Sequence, residues 1–224
     1  MALAEGTERK TDRIEAFSDA VLAIAITLPV VELKAPEPNP GRSLAEQYAE
    51  LAPEYLSYAL SFVVIGLYWA YSHFSGKLWR KTDHGFNLLT LLFLAVVSIT
   101  PFPTRPFVEH FHEPAEAPTA ATVYAAMLTA PAIAWTIRWL YGVRRGLLNP
   151  HLAPAYVRRA TMRFCLTALG CVAATLICAL ISWQVGIALV GLLTLQFAWP
   201  PMAPEYKPGE APKDDIEEAD EQDG

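Results

Sequence analysis

Charged and polar side chains open the first apolar stretch of the chain, which reads RIEAFSDAVLAIAITLPVVELK from Arg13 to Lys34. Its Asp19 falls within or near the apolar region of a membrane, where a carboxylate is costly unless another group pairs with it. His73 and Asn87 are the candidate partners, because the predicted helices place them at a similar depth. An Asp–His pair could relay a proton or an ion, and the same residues could instead form a structural hydrogen-bond network, which Arg13 could join.

Apolar side chains in the same stretch follow helical spacing. At about 100° per residue they fall on one stripe, which consists of Phe17, Val21, Ile24, Leu28 and Val31. Such a stripe packs against neighbouring helices or against copies of itself. On spacing alone it is typical of an ordinary seam in a helix bundle. Asp19 lies well off the stripe and therefore faces a different neighbour.

The composition places these residues in a membrane. The chain has 224 residues, of which 53% are hydrophobic and 18% are charged. Its apolar residues form blocks of roughly 18–25 residues, each long enough to cross about 30 Å of hydrocarbon as a helix. We therefore predict an all-α polytopic membrane protein with six transmembrane helices. The predicted helices cover about 13–34, 51–73, 86–104, 119–141, 160–182 and 184–200.

The segments outside the helices predict the orientation. Residues 1–12 form a polar N-terminus, residues 13–204 the transmembrane domain, and residues 205–224 an acidic tail that we expect to be disordered. No signal peptide is apparent at the polar N-terminus, so the first helix is expected to direct insertion. With both termini in the cytoplasm, only Lys34, Arg42 and Arg105 fall on the outer side, as the positive-inside rule favours.

No motif in the sequence indicates an enzyme. The sequence has no match to a nucleophile elbow, a phosphate loop, a dinucleotide turn or a zincin helix. The potassium-filter motif TVGYG is also absent from the sequence. The segment EHFHE, from Glu109 to Glu113, is interpreted as a solvated outer loop, because His110 and His112 do not share a helix face. We predict no metal, no cofactor and no nucleic-acid partner.

The pattern RxxxFSD, from Arg13 to Asp19 and followed by AVLAIAITLPVVELK, closely resembles the signature of the transmembrane protein 175 family. This family comprises endolysosomal potassium channels of animals and their bacterial relatives. The second helix, ending in YWAYSHF, and the third, reading NLLTLLFLAVVSITPF, are also similar to the family pattern. The resemblance covers roughly residues 13–107.

The resemblance implies a potassium-preferring cation channel without a TVGYG filter, with permeant K⁺ and no cofactor, in the inner membrane of a bacterium. It implies a homotetramer whose pore is lined by the first helix of each subunit, with a hydrophobic constriction at Ile24, Leu28 and Val31. Thr27 corresponds to a position associated with potassium preference. The resemblance also implies a structural network that packs the first helix against the second and third; its expected members are Arg13, Phe17, Ser18, Asp19, His73 and Asn87.

Two other interpretations remain at this stage. One is a proton-coupled secondary transporter that uses Asp19 and His73 as a relay, although the two halves show no convincing repeat. The other is a non-conducting membrane scaffold. One residue also departs from the family pattern: Pro29 removes a backbone bond to Ala25 and can kink the helix, which leaves the position of Val31 open.

Overall fold

A computed structural model describes residues 11–37, 39, 41–199 and 202–209. Within these ranges the secondary structure is helical, as the sequence predicts. The α-helices are α1 Asp12–Thr27, α2 Leu44–Ser75, α3 His84–Ser98, α4 Pro101–His110, α5 Ala117–Arg145, α6 Pro154–Leu180 and α7 Trp183–Leu195. Short 3₁₀ helices follow α1, α2 and α7; they are Leu28–Glu32, Gly76–Leu78 and Gln196–Ala198.

The helices divide into membrane-crossing units that follow the predicted order. Five helical units are long and apolar enough to cross a bilayer, and a sixth apolar unit, Trp183–Ala198, is shorter. The five longer units are Asp12–Glu32, Leu44–Leu78, His84–His110, Ala117–Arg145 and Pro154–Leu180. The chain is therefore a multi-pass membrane protein.

The second unit begins earlier than the predicted residue 51. Ser43 and Glu46 form a reciprocal cap at the start of α2. The Glu46 backbone N–H donates to Ser43 Oγ over 3.3 Å, and the Ser43 N–H donates to Glu46 Oε2 over 2.7 Å. These bonds satisfy backbone donors that a helix otherwise leaves unpaired at its N-terminus, and they fix the start of α2 at Leu44.

The third unit consists of two helices with a break at Ile99–Thr100. Pro101 starts α4, and proline is tolerated at the first position of a helix because the missing N–H has no partner there. The helical chain consequently continues to His110, beyond the predicted end near residue 104. Part of the segment interpreted as an outer loop is therefore helical.

Helix α5 lies at the centre of the bundle, in contact with α3, α4, α6 and α7. Trp135 and Trp139 on this helix are almost fully buried. Trp135 meets Tyr71 edge to face at 5.4 Å, and Trp139 meets Phe164 at 5.0 Å. Such pairs contribute about 0.5–1.5 kcal/mol each beyond their buried area, and direct packing of this kind matters in lipid, where the hydrophobic effect between helices is weak.

Helices α6 and α7 form the antiparallel hairpin that their short connection predicts. Ser182 caps α7 by accepting a hydrogen bond from the Val185 N–H. Gly186 lies directly against Cys178 on α6, where an added Cβ would come within 2.3 Å of the Cys178 Cα. Glycine is therefore required at this crossing because the two backbones touch.

The first residues of the predicted acidic tail form hydrogen bonds with the rest of the chain. The Ala153 N–H donates to the Glu205 carbonyl over 2.7 Å, and the Lys207 N–H donates to the His151 carbonyl over 2.8 Å. The Lys207 ammonium also donates to the Pro150 carbonyl over 2.7 Å. Residues 205–207 thus pair with the connection between α5 and α6, while residues 1–10 and 210–224 lie outside the described part of the chain.

Candidate functional site

Helix α1 has two faces with opposite environments. Ser18, Leu22 and Ala25 are buried against the bundle, where α1 packs on α2 and α3. The other face carries the predicted stripe, and there Ile24 is 61% exposed and Leu28 60% exposed. An aliphatic stripe that a subunit does not cover itself is available to another subunit, to lipid or to a pore.

Pro29 changes the helix type within this stripe. The Leu28 N–H still donates to the Ile24 carbonyl, but Pro29 has no N–H for the next carbonyl, and residues Leu28–Glu32 form a 3₁₀ helix. Side chains three residues apart are eclipsed in a 3₁₀ helix. Val31 therefore stays in line with Leu28, and it is 74% exposed.

Thr27 lies at the end of the α-helical part and is also exposed. Its Oγ1 donates to the Ala23 carbonyl over 2.9 Å and is 3.3 Å from the Ile24 carbonyl. A hydroxyl has one donor hydrogen and two acceptor lone pairs. Because the backbone takes the hydrogen, the Thr27 oxygen presents its acceptor side outward, which suits a cation.

The partner of Asp19 is a residue that the sequence analysis did not select. Trp69 Nε1 donates to Asp19 Oδ1 over 3.1 Å, and the Trp69 ring stacks on His73 with centroids 5.7 Å apart. The expected direct partners, His73 and Asn87, do not bond Asp19 within the described chain. Trp69 lies one helical turn before His73 on the same face of α2. Its long indole side chain extends to Asp19 on α1.

The other expected network members occupy separate environments. Ser18 is buried and donates to the Ile14 carbonyl of its own helix over 2.7 Å. Arg13 and Phe17 are exposed. The Asn87 amide oxygen is buried and has no hydrogen-bond partner among the described residues. The structure thus joins Asp19 and His73 through Trp69 and leaves Asn87 outside this contact.

A second set of contacts fixes the chain just after the 3₁₀ helix. Tyr55 Oη donates to the Lys34 carbonyl over 2.7 Å. The Lys34 ammonium lies 3.5 Å from Glu54 Oε1, which also accepts from Arg105 Nη2 over 3.3 Å. The Glu54 side chain is only 14% exposed. These contacts, which we call the outer clamp, tie the end of the stripe to α2 and α4.

At the opposite end of the bundle, Asp83 links α3 to α5. Its Oδ1 accepts from the Phe86 N–H over 2.8 Å, and its Oδ2 accepts from Tyr141 Oη over 3.1 Å and from Arg145 Nε over 3.3 Å. Burial alone would raise the pKa of the Asp83 carboxyl. The three hydrogen bonds and the Arg145 charge outweigh burial and hold its pKa below the usual range.

Comparisons with known proteins agree with this architecture. The sequence profile of the family described as "Endosomal/lysosomal potassium channel TMEM175" matches residues 13–101. A potassium channel of Streptomyces collinus is 34% identical over 191 residues, which cover 85% of this chain and 92% of the relative. A potassium channel of Chamaesiphon minutus is 40% identical over 134 residues, covering 59% of this chain and 66% of that relative.

A solved structure shares the fold. The crystal structure described as a lysosomal potassium-selective channel TMEM175 homolog from Chamaesiphon minutus superposes with a TM-score of 0.67 at 32% identity. The match covers 84% of this chain and 96% of that one. The likeness therefore extends over the whole helix bundle.

Proposed function

Because the chain belongs to the TMEM175 family, we propose that it is a potassium-preferring cation channel in which four copies place α1 around a central pore. The observation that carries the proposal is the exposed aliphatic stripe of α1. A membrane helix that packs one face on its own subunit and leaves an aliphatic stripe exposed is suited to a pore closed by apolar residues. The channel names of the bacterial relatives support the same activity.

In the proposed pore, Ile24, Leu28 and Val31 form successive apolar rings. An apolar constriction stops ions by narrowing the pore and by excluding water, so ions pass only when the α1 helices move apart. Each ring lies on the exposed face of α1. Closure of the pore then requires only that four such faces approach one another.

Thr27 is the proposed contributor to potassium preference. Its hydroxyl lies between the Ile24 and Leu28 levels, and its acceptor lone pairs are free because its hydrogen binds the backbone. Potassium is held in proteins by oxygen ligands that replace its hydration shell. Four Thr27 oxygens would offer such ligands next to the narrow part of the pore.

An apolar groove beside α1 supports assembly with further copies. It has a volume of about 680 Å³ and lies between α1 and the α3–α4 break. Ile99 and Phe102 line it together with Ile24 and Leu28, and Phe102 is 77% exposed. The apolar face of α1 thus continues onto α4, which suits an interface with a neighbouring subunit in a homotetramer.

We assign the protein to the inner membrane of a bacterium with both termini in the cytoplasm. In this orientation the cytoplasmic side carries two pairs of arginines. They are Arg144 and Arg145 at the end of α5, and Arg158 and Arg159 at the start of α6. Basic residues are concentrated on that side in membrane proteins. The outer clamp then faces the exterior.

The relay required by a proton-coupled transporter has less support. Asp19 accepts from the indole of Trp69, which is a donor only and cannot pass a proton onward. Trp69 also separates Asp19 from His73, against which it stacks. This arrangement favours a structural role for Asp19 and His73 over proton transfer.

Ion flux from proteoliposomes tests the proposal. The full chain is reconstituted in vesicles loaded with K⁺, and efflux is driven by a potential set by an ionophore. A channel should give passive efflux that persists after a protonophore collapses the proton gradient. Efflux that stops when the proton gradient is removed would favour the transporter, and no protein-dependent efflux under any imposed voltage would contradict conduction.

A further inference from the structure

A cavity of about 470 Å³ lies where the start of α1, the end of α2 and the side of α5 meet. Its charged lining residues are Glu15, Asp19, Lys77 and Arg138, and Phe74 also lines it. Each water takes up about 30 Å³, so the space is ample for a small polar group. The cavity lies away from the exposed stripe of α1 and has no part in the proposed conduction.

Arg138 brings a positive charge to this cavity and makes no ion pair with another residue that the structure describes. The residue is 5% exposed, and its guanidinium lies 4.1 Å from the centroid of the Trp135 ring and 5.3 Å from that of Phe93. Its Nε has no hydrogen-bond partner among the described residues. An arginine buried in a membrane protein normally pairs with an anion or with carbonyl groups, so the aromatic rings satisfy Arg138 only in part.

Glu15 brings a negative charge to the same cavity. Its Oε1 is buried without a hydrogen bond in the described part of the chain. The carboxylate lies against Gly76, where an added Cβ would meet Oε2 at 3.3 Å. Glu15 and Arg138 form no ion pair there. The other charged residues of the lining are Asp19, which accepts from Trp69, and Lys77, so the cavity offers both anionic and cationic groups to whatever occupies it.

We propose that this cavity binds a phosphoethanolamine headgroup, with its phosphate on Arg138 and its ammonium on Glu15. A guanidinium recognises phosphate oxygens through paired hydrogen bonds, and a carboxylate accepts hydrogen bonds from an ammonium. Phe74, which lines the cavity, is 57% exposed and offers an apolar surface next to the headgroup. The structure therefore favours phosphatidylethanolamine from the bilayer over free phosphoethanolamine.

Native mass spectrometry of the delipidated full chain tests the headgroup. The wild-type protein should retain phosphatidylethanolamine about tenfold more strongly than phosphatidylglycerol, which has the phosphate but no ammonium. Arg138→Met should lose about tenfold or more of this binding, and Glu15→Gln should remove the preference between the lipids. The matched control is Arg144→Met, at an exposed arginine of the same helix. Equal retention of phosphatidylethanolamine by wild type and Arg138→Met would overturn the proposal.

Thermal unfolding in detergent gives a second measurement that remains usable if Arg138→Met fails to fold. Phosphatidylethanolamine should raise the melting temperature of wild type and of Arg138→Lys, which keeps the charge, and should raise that of Glu15→Gln less. Failure to stabilise the wild type would overturn the site. Equal stabilisation by free phosphoethanolamine in lipid-free detergent would overturn the lipid source. Neither measurement depends on ion flux, so the outcome is independent of the proposed conduction.

Discussion

The indole N–H of Trp69 on α2 donates to the Asp19 carboxylate on α1 over 3.1 Å, and this bond connects the polar start of α1 to its neighbour. Its acceptor is charged, and such bonds contribute about 1.5–3 kcal/mol when buried and less when partly exposed. The aromatic ring of Trp69 continues the contact by stacking on His73. The Asp19 carboxylate, which is costly in lipid, therefore meets protein.

Trp69→Phe should lower thermal stability because it removes the donor and keeps an aromatic ring for stacking. A loss of about 1 kcal/mol corresponds to about 2–4 °C in a chain of this size. The measurement is the melting temperature in detergent. Trp199→Phe, at a tryptophan that is 71% exposed, is the control, and equal melting temperatures for the two variants would contradict the role of the bond.

Ile24→Asn should increase passive K⁺ efflux from proteoliposomes. An amide in the constriction holds water, which lowers the barrier to an ion; a decrease of about 1.4 kcal/mol would raise the rate about tenfold. Ile181→Asn, on the α6–α7 connection, places the same change at an 80% exposed isoleucine and should leave efflux unchanged. Unchanged efflux in Ile24→Asn would remove Ile24 from the constriction.

Thr27→Val should reduce discrimination between K⁺ and Na⁺, because valine keeps the shape of threonine and removes the oxygen. The measurement is the reversal potential under opposing K⁺ and Na⁺ gradients, which should move toward zero. Thr119→Val, at an exposed threonine near the start of α5, is the control. A reversal potential equal to that of wild type would exclude Thr27 from selectivity.

Glu54→Gln should loosen the outer clamp, because Lys34 and Arg105 lose the carboxylate that they share. Both cations are largely exposed, so we expect a loss of at most about 1 kcal/mol, together with higher passive efflux as the end of the stripe is released. The control is Glu50→Gln, on the same helix as Glu54, which breaks the exposed pair between Glu50 and Arg42. It should have a smaller effect on stability and on efflux. Equal effects of the two substitutions would argue against the clamp.

Asp83→Asn should destabilise the protein in a pH-dependent way. The pKa of Asp83 is lower in the folded protein than in the unfolded chain, where it is about 3.9. Its stabilising contribution is therefore complete above about pH 4 and decreases as the pH falls toward the folded pKa. The melting temperatures of wild type and variant should differ at neutral pH and converge in acid. Asp12→Asn, at an exposed position, is the control and should change the melting temperature at neutral pH less than Asp83→Asn does.

Much of the fold can be predicted because lipid restricts what the chain can do. Apolar blocks of sufficient length must be helices, and the spacing of Ile24 and Leu28 already indicates one shared face. The early start of α2 was also readable, since Ser43 and Glu46 form a recognisable capping pattern. The third unit extends past its predicted end near residue 104 because proline also starts helices, and Pro101 begins α4.

The contacts between helices could not be predicted in the same way. Asp19 requires a partner, but several residues lie at a similar depth. Which of them bonds Asp19 depends on side-chain length and rotamer, and the long indole of Trp69 extends to α1. The outer clamp joins residues from α2 and α4 to Lys34, and no local pattern indicates that meeting. The cavity lined by Glu15 and Arg138 likewise arises only when four helices assemble.

The 3₁₀ helix after Thr27 determines how long the apolar lining is. A continuous α-helix would turn Val31 by about 60° away from Leu28 and would span Ile24 to Val31 in about 10.5 Å. With a rise of about 2.0 Å per residue beyond Leu28, the same residues cover about 12 Å along the axis, and Val31 stays in line with Leu28. In the proposed pore, Pro29, the residue that interrupts the α-helix, would thereby lengthen the apolar stretch that an ion must cross.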